Sequence, residues 1–206
     1  MSLVRKPLLF VLALALCCGV FSVPASRADD MPAGVKGDMM IWYKDAEQKL
    51  TDLSDAMPEG KYSWRPGKGV RSVGEVYMHV VAANYAIPAL CGVQPPTGFD
   101  PMAYMKDQSA FEKSMTKKAD IRKALSDSFA HLEKAFMETS DADMDKQVDL
   151  MGNKMSERAV YLLLLSHAHE HLGQSIAYAR SNGVVPPWTT KQNAAMKEKM
   201  ASEDKK

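Results

Sequence analysis

The fold is decided by residues 156–188, which read SERAVYLLLLSHAHEHLGQSIAYARSNGVVPPW. Apolar residues recur there every three or four positions, and this spacing predicts one long helix from near Ser156 to Asn182. Gly183 follows directly, as the residue that commonly ends a helix in the left-handed conformation. The prolines beyond it cannot continue a helix, so the segment has a defined end.

Three other segments carry apolar residues at helical spacing, and no stretch alternates convincingly with the period of two that a strand requires. We predict these helices over residues 37–57, 72–92 and 109–139. Ser72 and Glu75 have the spacing of a capping box at the start of the second one. Four helices with one apolar stripe each bury those stripes best against one another, which predicts an all-α four-helix bundle.

The connections between the predicted helices differ in length and composition. A loop rich in proline and glycine joins the second helix to the third and is the longest connector. It is long enough to cross the bundle, which would let these two helices run parallel, although a hairpin also fits. Residues 141–155 form a polar connector before the fourth helix.

The first residues of the chain have the pattern of a targeting segment. Arg5 and Lys6 precede an almost unbroken apolar run over residues 8–20. The small residues of the sequence SRA, which ends at Ala28, stand where signal peptidase requires them. We predict a secretory signal peptide over residues 1–28, cleaved after Ala28, and hence a secreted or periplasmic protein that does not contact the membrane after cleavage. The alternative is an uncleaved membrane anchor.

Removal of this segment leaves residues 29–188 as the bundle domain and residues 189–206 as a polar, lysine-rich tail, which we predict to be flexible. The remaining chain has 23 basic and 25 acidic residues without a basic cluster. Nucleic acid is therefore excluded as a partner, because it requires a concentrated positive face. Cys91 is then the only cysteine, so no intrachain disulfide can form.

Three of the five histidines stand within five residues of the fourth predicted helix. Positions four apart lie about 40° apart around a helix, whereas positions two apart lie about 200° apart. His167 and His171 therefore share the apolar face, and His169 points elsewhere. In the second predicted helix His79 falls within the apolar stripe, so it also faces the bundle interior.

Three inward imidazoles are costly to bury unless their nitrogens are satisfied, and one divalent metal satisfies all three. We therefore predict a metal site formed by His79, His167 and His171. The alternative for each one singly is a core imidazole bonded to a neighbour. An inverted zinc protease is another alternative, because residues 167–171 fit H-x-x-E-H with Glu170 as the base. Such enzymes need a further acidic ligand well downstream, and the polar tail after the fourth helix is not a context that supports one.

The ordered combination of these motifs resembles the DinB-like (DinB/YfiT) family of metal-binding four-helix bundles. Three segments carry the resemblance: H-x-x-x-H-L-G-Q over residues 167–174, YSWRP over residues 62–66, and VRSVGE over residues 70–75 ahead of His79. The resemblance extends over about residues 37–188.

Membership of this family implies an up-down-down-up topology and a divalent metal, with zinc or nickel being typical. The ligands implied are His79, His167 and His171, with water completing the coordination. The family includes thiol-dependent transferases and isomerases that act on small electrophiles, and homodimers are common. The secretory signal argues against a thiol-dependent reaction here, because reduced small thiols are scarce outside the cytosol.

Three neutral donors with an open coordination position predict a metal-dependent enzyme, a hydrolase or transferase that acts on an unidentified small molecule. The alternative is a non-catalytic binding or assembly module in which the metal joins two helices. Asn84, Tyr85 and Gln174 lie within about a turn of the predicted ligands and are candidates for orienting an imidazole or a substrate. No catalytic residue is identified from the sequence.

Overall fold

A computed structural model describes residues 32–203, and most of these residues are helical. In chain order the helices are α1 (Gly34–Ala56), α2 (Val73–Leu90), α3 (Pro101–Lys106), α4 (Gln108–Glu112), α5 (Lys118–Glu138), α6 (Glu157–Ser181) and α7 (Pro187–Glu203). The long helices α1, α2, α5 and α6 form the bundle, which confirms the all-α four-helix class. The predicted signal peptide, residues 1–28, lies outside the described residues.

The directions of the bundle helices follow from contacts between their ends. Helices α2 and α5 run parallel, α1 runs antiparallel to α5, and α6 runs antiparallel to α2. The contacts that set these directions pair Gly74 with Ile121, Asn84 with Ser128, Lys36 with Met137, Lys118 with Asp55, and Tyr178 with Arg71. The topology is therefore up-down-down-up, and the long connector crosses the bundle between α2 and α5.

Helix α2 is the central element, because it packs against α4, α5 and α6. It begins with the predicted capping box: Ser72 Oγ accepts from the backbone N–H of Glu75 at 3.3 Å, and Glu75 Oε2 accepts from that of Ser72 at 2.9 Å. A Cβ atom at Gly74 would lie 3.1 Å from Cδ1 of Ile121, so α2 packs closely on α5 at this position and leaves little room for a side chain. These features fix the position of the first turn of α2.

The main core lies between the four long helices. Its largest fully buried side chains are Tyr77, Phe129, Met40, Leu50, Leu53, Met57, Met78, Ile121, Leu125, Leu132, Leu164 and Val76. A smaller aromatic cluster lies between α2 and the connector. It is built on Ala82, Ala86 and Tyr104, with Phe99, Met105 and Phe111 packed around them.

The predicted third helix over residues 109–139 is wrong at its start. The structure forms α4 and then a separate α5, with residues 113–117 between them. Phe111 continues the helical spacing of the α5 stripe, but its ring packs on the smaller cluster, with its centroid 5.1 Å from that of Phe99 and 5.9 Å from that of Tyr104. This tertiary contact turns α4 away from the axis of α5.

The polar connector predicted over residues 141–155 contains a β-hairpin, β1 (Gln147–Leu150) and β2 (Asn153–Ser156). The strands are antiparallel, and Val148 pairs with Met155. Met151 and Gly152 form the turn with φ values of 56° and 87°, the signs that a tight hairpin turn requires. Strands of only four residues give too little alternation to be recognised in the sequence.

The described part of the segment 189–206, which the sequence predicts to be a flexible tail, belongs to helix α7. Its composition explains the helix, because alanine, lysine, glutamate and methionine are strong helix formers. None of its residues is buried. Within residues 32–203 no helix is long and apolar enough to span a bilayer.

Candidate metal centre

The structure brings together the three histidines that the sequence predicts to share a metal. His79 lies in the middle of α2, and His167 and His171 lie one turn apart on the facing side of α6. Nε2 of His167 is 3.1 Å from Nε2 of His79 and 3.1 Å from Nε2 of His171. His171 is buried and the other two are half-buried, so the cluster lies at the edge of the core.

The Nδ1 atoms of two of these rings face hydrogen-bond acceptors. Nδ1 of His79 is 2.8 Å from Oε1 of Glu112, and Nδ1 of His171 is 2.9 Å from Oε1 of Gln174. A carboxylate only accepts, and the Gln174 amide already donates its N–H to the Tyr178 hydroxyl at 3.1 Å. Both Nδ1 atoms therefore carry the proton, and the Nε2 lone pairs point toward the cluster centre.

Lone pairs that converge in this way are mutually repulsive unless a cation lies between them. Two nitrogens at about 2.0–2.1 Å from a tetrahedral ion lie about 3.3 Å apart, close to the observed Nε2 separations of 3.1 Å. Neutral imidazole is a preferred ligand of zinc, nickel and copper ions. The donor set and its spacing thus fit a divalent transition metal. Among residues 32–203 no fourth histidine, cysteine or carboxylate joins the cluster.

Burial keeps the imidazoles of His167 and His171 neutral. It lowers the pKa of His167 from 6.5 to about 3, with a further contribution from the neighbouring His171 and His79. Burial also lowers the pKa of His171, although its hydrogen bond with Gln174 acts in the opposite direction. Because a metal binds only the deprotonated ring, the site is ready to accept one at neutral pH.

The Glu112 carboxylate contacts the cluster through His79, and it is only 5% exposed. Arg71 binds it with two hydrogen bonds, from Nε to Oε2 at 2.8 Å and from an Nη atom to Oε1 at 2.9 Å. Burial by itself raises the pKa of the Glu112 carboxyl, but the hydrogen bonds from His79 and Arg71 outweigh burial and hold this pKa below its usual range. Glu112 is therefore ionised at neutral pH.

The other predicted positions fall outside the cluster. Nδ1–H of His169 donates to the backbone carbonyl oxygen of Leu165 at 3.0 Å, and the ring of His169 lies edge-on to Trp42. Glu170 is exposed. These placements agree with the predicted separation of His169 from the metal ligands and give Glu170 no partner in a protease-like site.

Of the three candidates for orienting groups, only Gln174 contacts a histidine of the cluster. Asn84 donates to Ser128 on α5 at 3.1 Å, and the Tyr85 ring packs against His131. Sequence reasoning missed Glu112, Arg71, Tyr104 and Tyr178. Glu112 and Tyr104 lie between α2 and α5 in the structure, and no local sequence pattern relates them to His79.

Comparison with known proteins gives one family and a set of similar folds. The profile of the DinB superfamily matches residues 43–175, more than half of the chain. No curated protein matches the sequence significantly. A DinB-like protein from Bacillus cereus is 19% identical with a TM-score of 0.62, and the match covers 74% of this chain and 95% of that one.

Two further solved structures share the fold. YfiT from Bacillus subtilis, described as a probable metal-dependent hydrolase with an unusual four-helix bundle topology, is 12% identical with a TM-score of 0.55, covering 78% of this chain and 95% of that one. A mycothiol-dependent maleylpyruvate isomerase is 15% identical with a TM-score of 0.56, covering 70% of this chain and 60% of that one. At these identities the likeness shows a common fold.

Proposed function

The chain belongs to the DinB superfamily, and from this premise we propose that it is a metal-dependent hydrolase acting on a small substrate, with His79, His167 and His171 as the metal ligands. One observation carries the proposal. Three Nε2 atoms converge within the distances that a single ion requires, and no fourth donor joins them among residues 32–203. The description of YfiT, which has the same fold, as a probable metal-dependent hydrolase supports the same reaction class.

The ligand set suits hydrolysis because it is neutral. A divalent metal held by three imidazoles with an open position supplies a Lewis acid that lowers the pKa of water toward neutrality. Glu112 is the carboxylate that contacts the cluster, and the positive charge of Arg71 balances it at 2.8–2.9 Å. The protein thus leaves the charge of the ion available to the reacting group. Zinc and nickel are the metals we propose, since both prefer imidazole nitrogen.

A thiol-dependent reaction is known for a protein with the same fold, the mycothiol-dependent maleylpyruvate isomerase. We propose hydrolysis instead, because residues 1–28 are predicted to be a secretory signal and small reduced thiols are scarce outside the cytosol. The alternative to an enzyme is a non-catalytic module in which the metal only joins α2 to α6. That alternative requires a closed coordination shell, whereas the hydrolase requires an exchangeable position.

Cobalt substitution tests for the exchangeable position, because the absorption of Co²⁺ reports its coordination. Titration of the cobalt protein with azide should shift the spectrum saturably, and His167→Ala should abolish the shift. The His169→Ala variant is the matched control on the same helix and should behave like the wild type. A fully metallated protein that responds neither to azide nor to a small thiol would contradict the enzyme proposal, and a thiol response with sulfur-to-metal charge transfer would favour a transferase.

We also propose that the mature protein is secreted or periplasmic and begins at Asp29. The support is the basic start, the apolar run and the small residues up to Ala28. Intact-mass and N-terminal analysis of protein isolated from its native compartment checks the cleavage site. A mature chain that retains Met1, or a lipid on Cys17 or Cys18, would contradict it.

A further inference from the structure

We propose that Arg71 and Glu112 form a positioning unit that holds the metal-binding imidazoles in place, and that Arg71 is its branch point. The unit reaches His79 through the Glu112 carboxylate and His171 through the backbone carbonyl of Arg71. The inference rests on the proposed metal site, and it assigns the residues that determine how tightly this site binds the metal.

The first branch is the carboxylate. Oε1 of Glu112 accepts from Nδ1–H of His79 at 2.8 Å, and both carboxylate oxygens also accept from the Arg71 guanidinium at 2.8 and 2.9 Å. A carboxylate held by two parallel N–H donors cannot rotate freely. It therefore fixes both the tautomer and the ring orientation of His79, the role that carboxylates play behind metal-bound histidines.

Nδ1 of His79 has a second hydrogen-bonding neighbour besides Glu112. The Tyr104 hydroxyl is 3.1 Å from Nδ1 of His79. Neutral imidazole has a single N–H, and a charged acceptor at 2.8 Å binds it more strongly than a neutral hydroxyl at the longer distance. Glu112 is therefore the group that determines the tautomer, and Tyr104 is secondary.

The second branch begins at the carbonyl oxygen of Arg71. It accepts from the Tyr178 hydroxyl at 3.2 Å, and that hydroxyl accepts from the Gln174 amide at 3.1 Å. The amide oxygen of Gln174 in turn accepts from Nδ1–H of His171 at 2.9 Å. Arg71 immediately precedes the capping box of α2, so the same backbone that starts the helix anchors a ligand on α6.

The chain offers a matched control beside this unit. Arg65 and Glu75 form a second two-bond arginine–glutamate pair, at 3.1 and 2.8 Å, close to Arg71 and Glu112. Neither of them contacts a histidine of the cluster. Arg65→Met therefore removes a comparable ion pair from the same cleft without touching the positioning unit.

The test measures the zinc dissociation constant of purified full-length variants by competition with a chromophoric chelator. Glu112→Ala should weaken zinc binding about 10–100-fold, the usual cost of removing a group that holds a metal-bound histidine. Glu112→Gln should weaken it less, because the amide oxygen still accepts from Nδ1–H. Arg71→Met should weaken it about tenfold in the wild type but less than about twofold on the Glu112→Ala background, because Arg71 acts through Glu112. Arg65→Met should leave it unchanged.

A second readout separates positioning from a general loss of stability. In the metal-free protein, ¹⁵N NMR of the imidazoles should show the Nδ1–H tautomer of His79, and Glu112→Ala should lose this preference while Arg65→Met keeps it. An unaltered tautomer with unaltered zinc affinity in Glu112→Ala, or additive effects of Arg71→Met and Glu112→Ala, would overturn the inference. A wild-type protein that binds no zinc would instead overturn the metal site itself, so the two failures are distinguishable.

Discussion

At the scale of single residues, the environment of His167 determines how the metal-free site responds to acid. Its imidazole lies 3.1 Å from those of His79 and His171, so a proton on one ring is repelled by a proton on another. Burial adds to this effect and is the larger cause of the pKa of about 3. The folded protein therefore resists protonation of His167 until the solution is strongly acidic.

We expect the metal-free protein to lose stability between pH 7.5 and 5.0. The unfolded chain binds protons at the ordinary histidine pKa of 6.5, whereas the folded pKa values of His167 and His171 are lower. The unfolded state thus holds more protons as the pH falls below 6.5, which favours unfolding. Urea midpoints measured in chelator at both pH values test this.

The double variant His167→Gln/His171→Gln is the control for this pH dependence, because it removes the two cluster histidines with lowered pKa values, whereas His131, whose pKa burial also lowers, is present in both proteins. Its urea midpoint should fall less over the same range than that of the wild type. Carboxylates contribute little in this window, since their ordinary pKa is 4.5. Equal pH dependence of the two proteins would contradict the assignment.

The residues of the cluster were predictable to different degrees. The spacing of four between His167 and His171 places both on one helix face, and the structure has them there. Glu112 gave no signal, because it follows His79 by 33 positions and no local pattern relates the two residues. Its position depends on how α4 packs on α2, which local patterns do not determine.

At the scale of the elements, the start of α2 sets the direction of the helix that carries His79. The capping box of Ser72 and Glu75 was predictable, because it depends only on residue types three positions apart. The break between α4 and α5 was not predictable in this way. Phe111 keeps the helical spacing, and only the aromatic cluster beneath it shows that the helix has ended.

We expect Ser72→Ala to lower the free energy of unfolding by about 1 kcal/mol, because it removes the N-cap of α2. Chemical denaturation measures the difference. Ser63→Ala is the control, since Ser63 is exposed in the preceding loop, and it should change the free energy by less than about 0.5 kcal/mol. Equal effects of the two substitutions would show that the cap does not stabilise α2.

At the scale of the whole molecule, the connector that crosses the bundle joins topology to chemistry. Parallel α2 and α5 require a long crossing segment, and that segment carries Tyr104 and Glu112 to the histidine cluster. The length of the connector is compatible with parallel helices and also with a hairpin, so length alone did not predict the topology. The resemblance to DinB-like proteins supplied the choice, and the contacts between helices confirm it.

A metal at this site would link α2 to α6, since one ligand comes from α2 and two come from α6. A ligand that binds only the folded state stabilises it by mass action. We therefore expect the chelator-treated protein to melt at a lower temperature than the zinc-loaded protein, as measured by thermal unfolding. The His79→Ala variant should show no such difference, and a zinc-dependent shift of wild-type size in that variant would contradict the link.

The most direct test of the central claim is the metal content of the reconstituted protein and four histidine variants. After zinc loading and removal of free ion, elemental analysis should find about one zinc per chain in the wild type and in His169→Ala. The His79→Ala, His167→Ala and His171→Ala variants should each retain only a small fraction. A wild type without zinc, or a loss in His169→Ala equal to that in the other three, would contradict the three-histidine site.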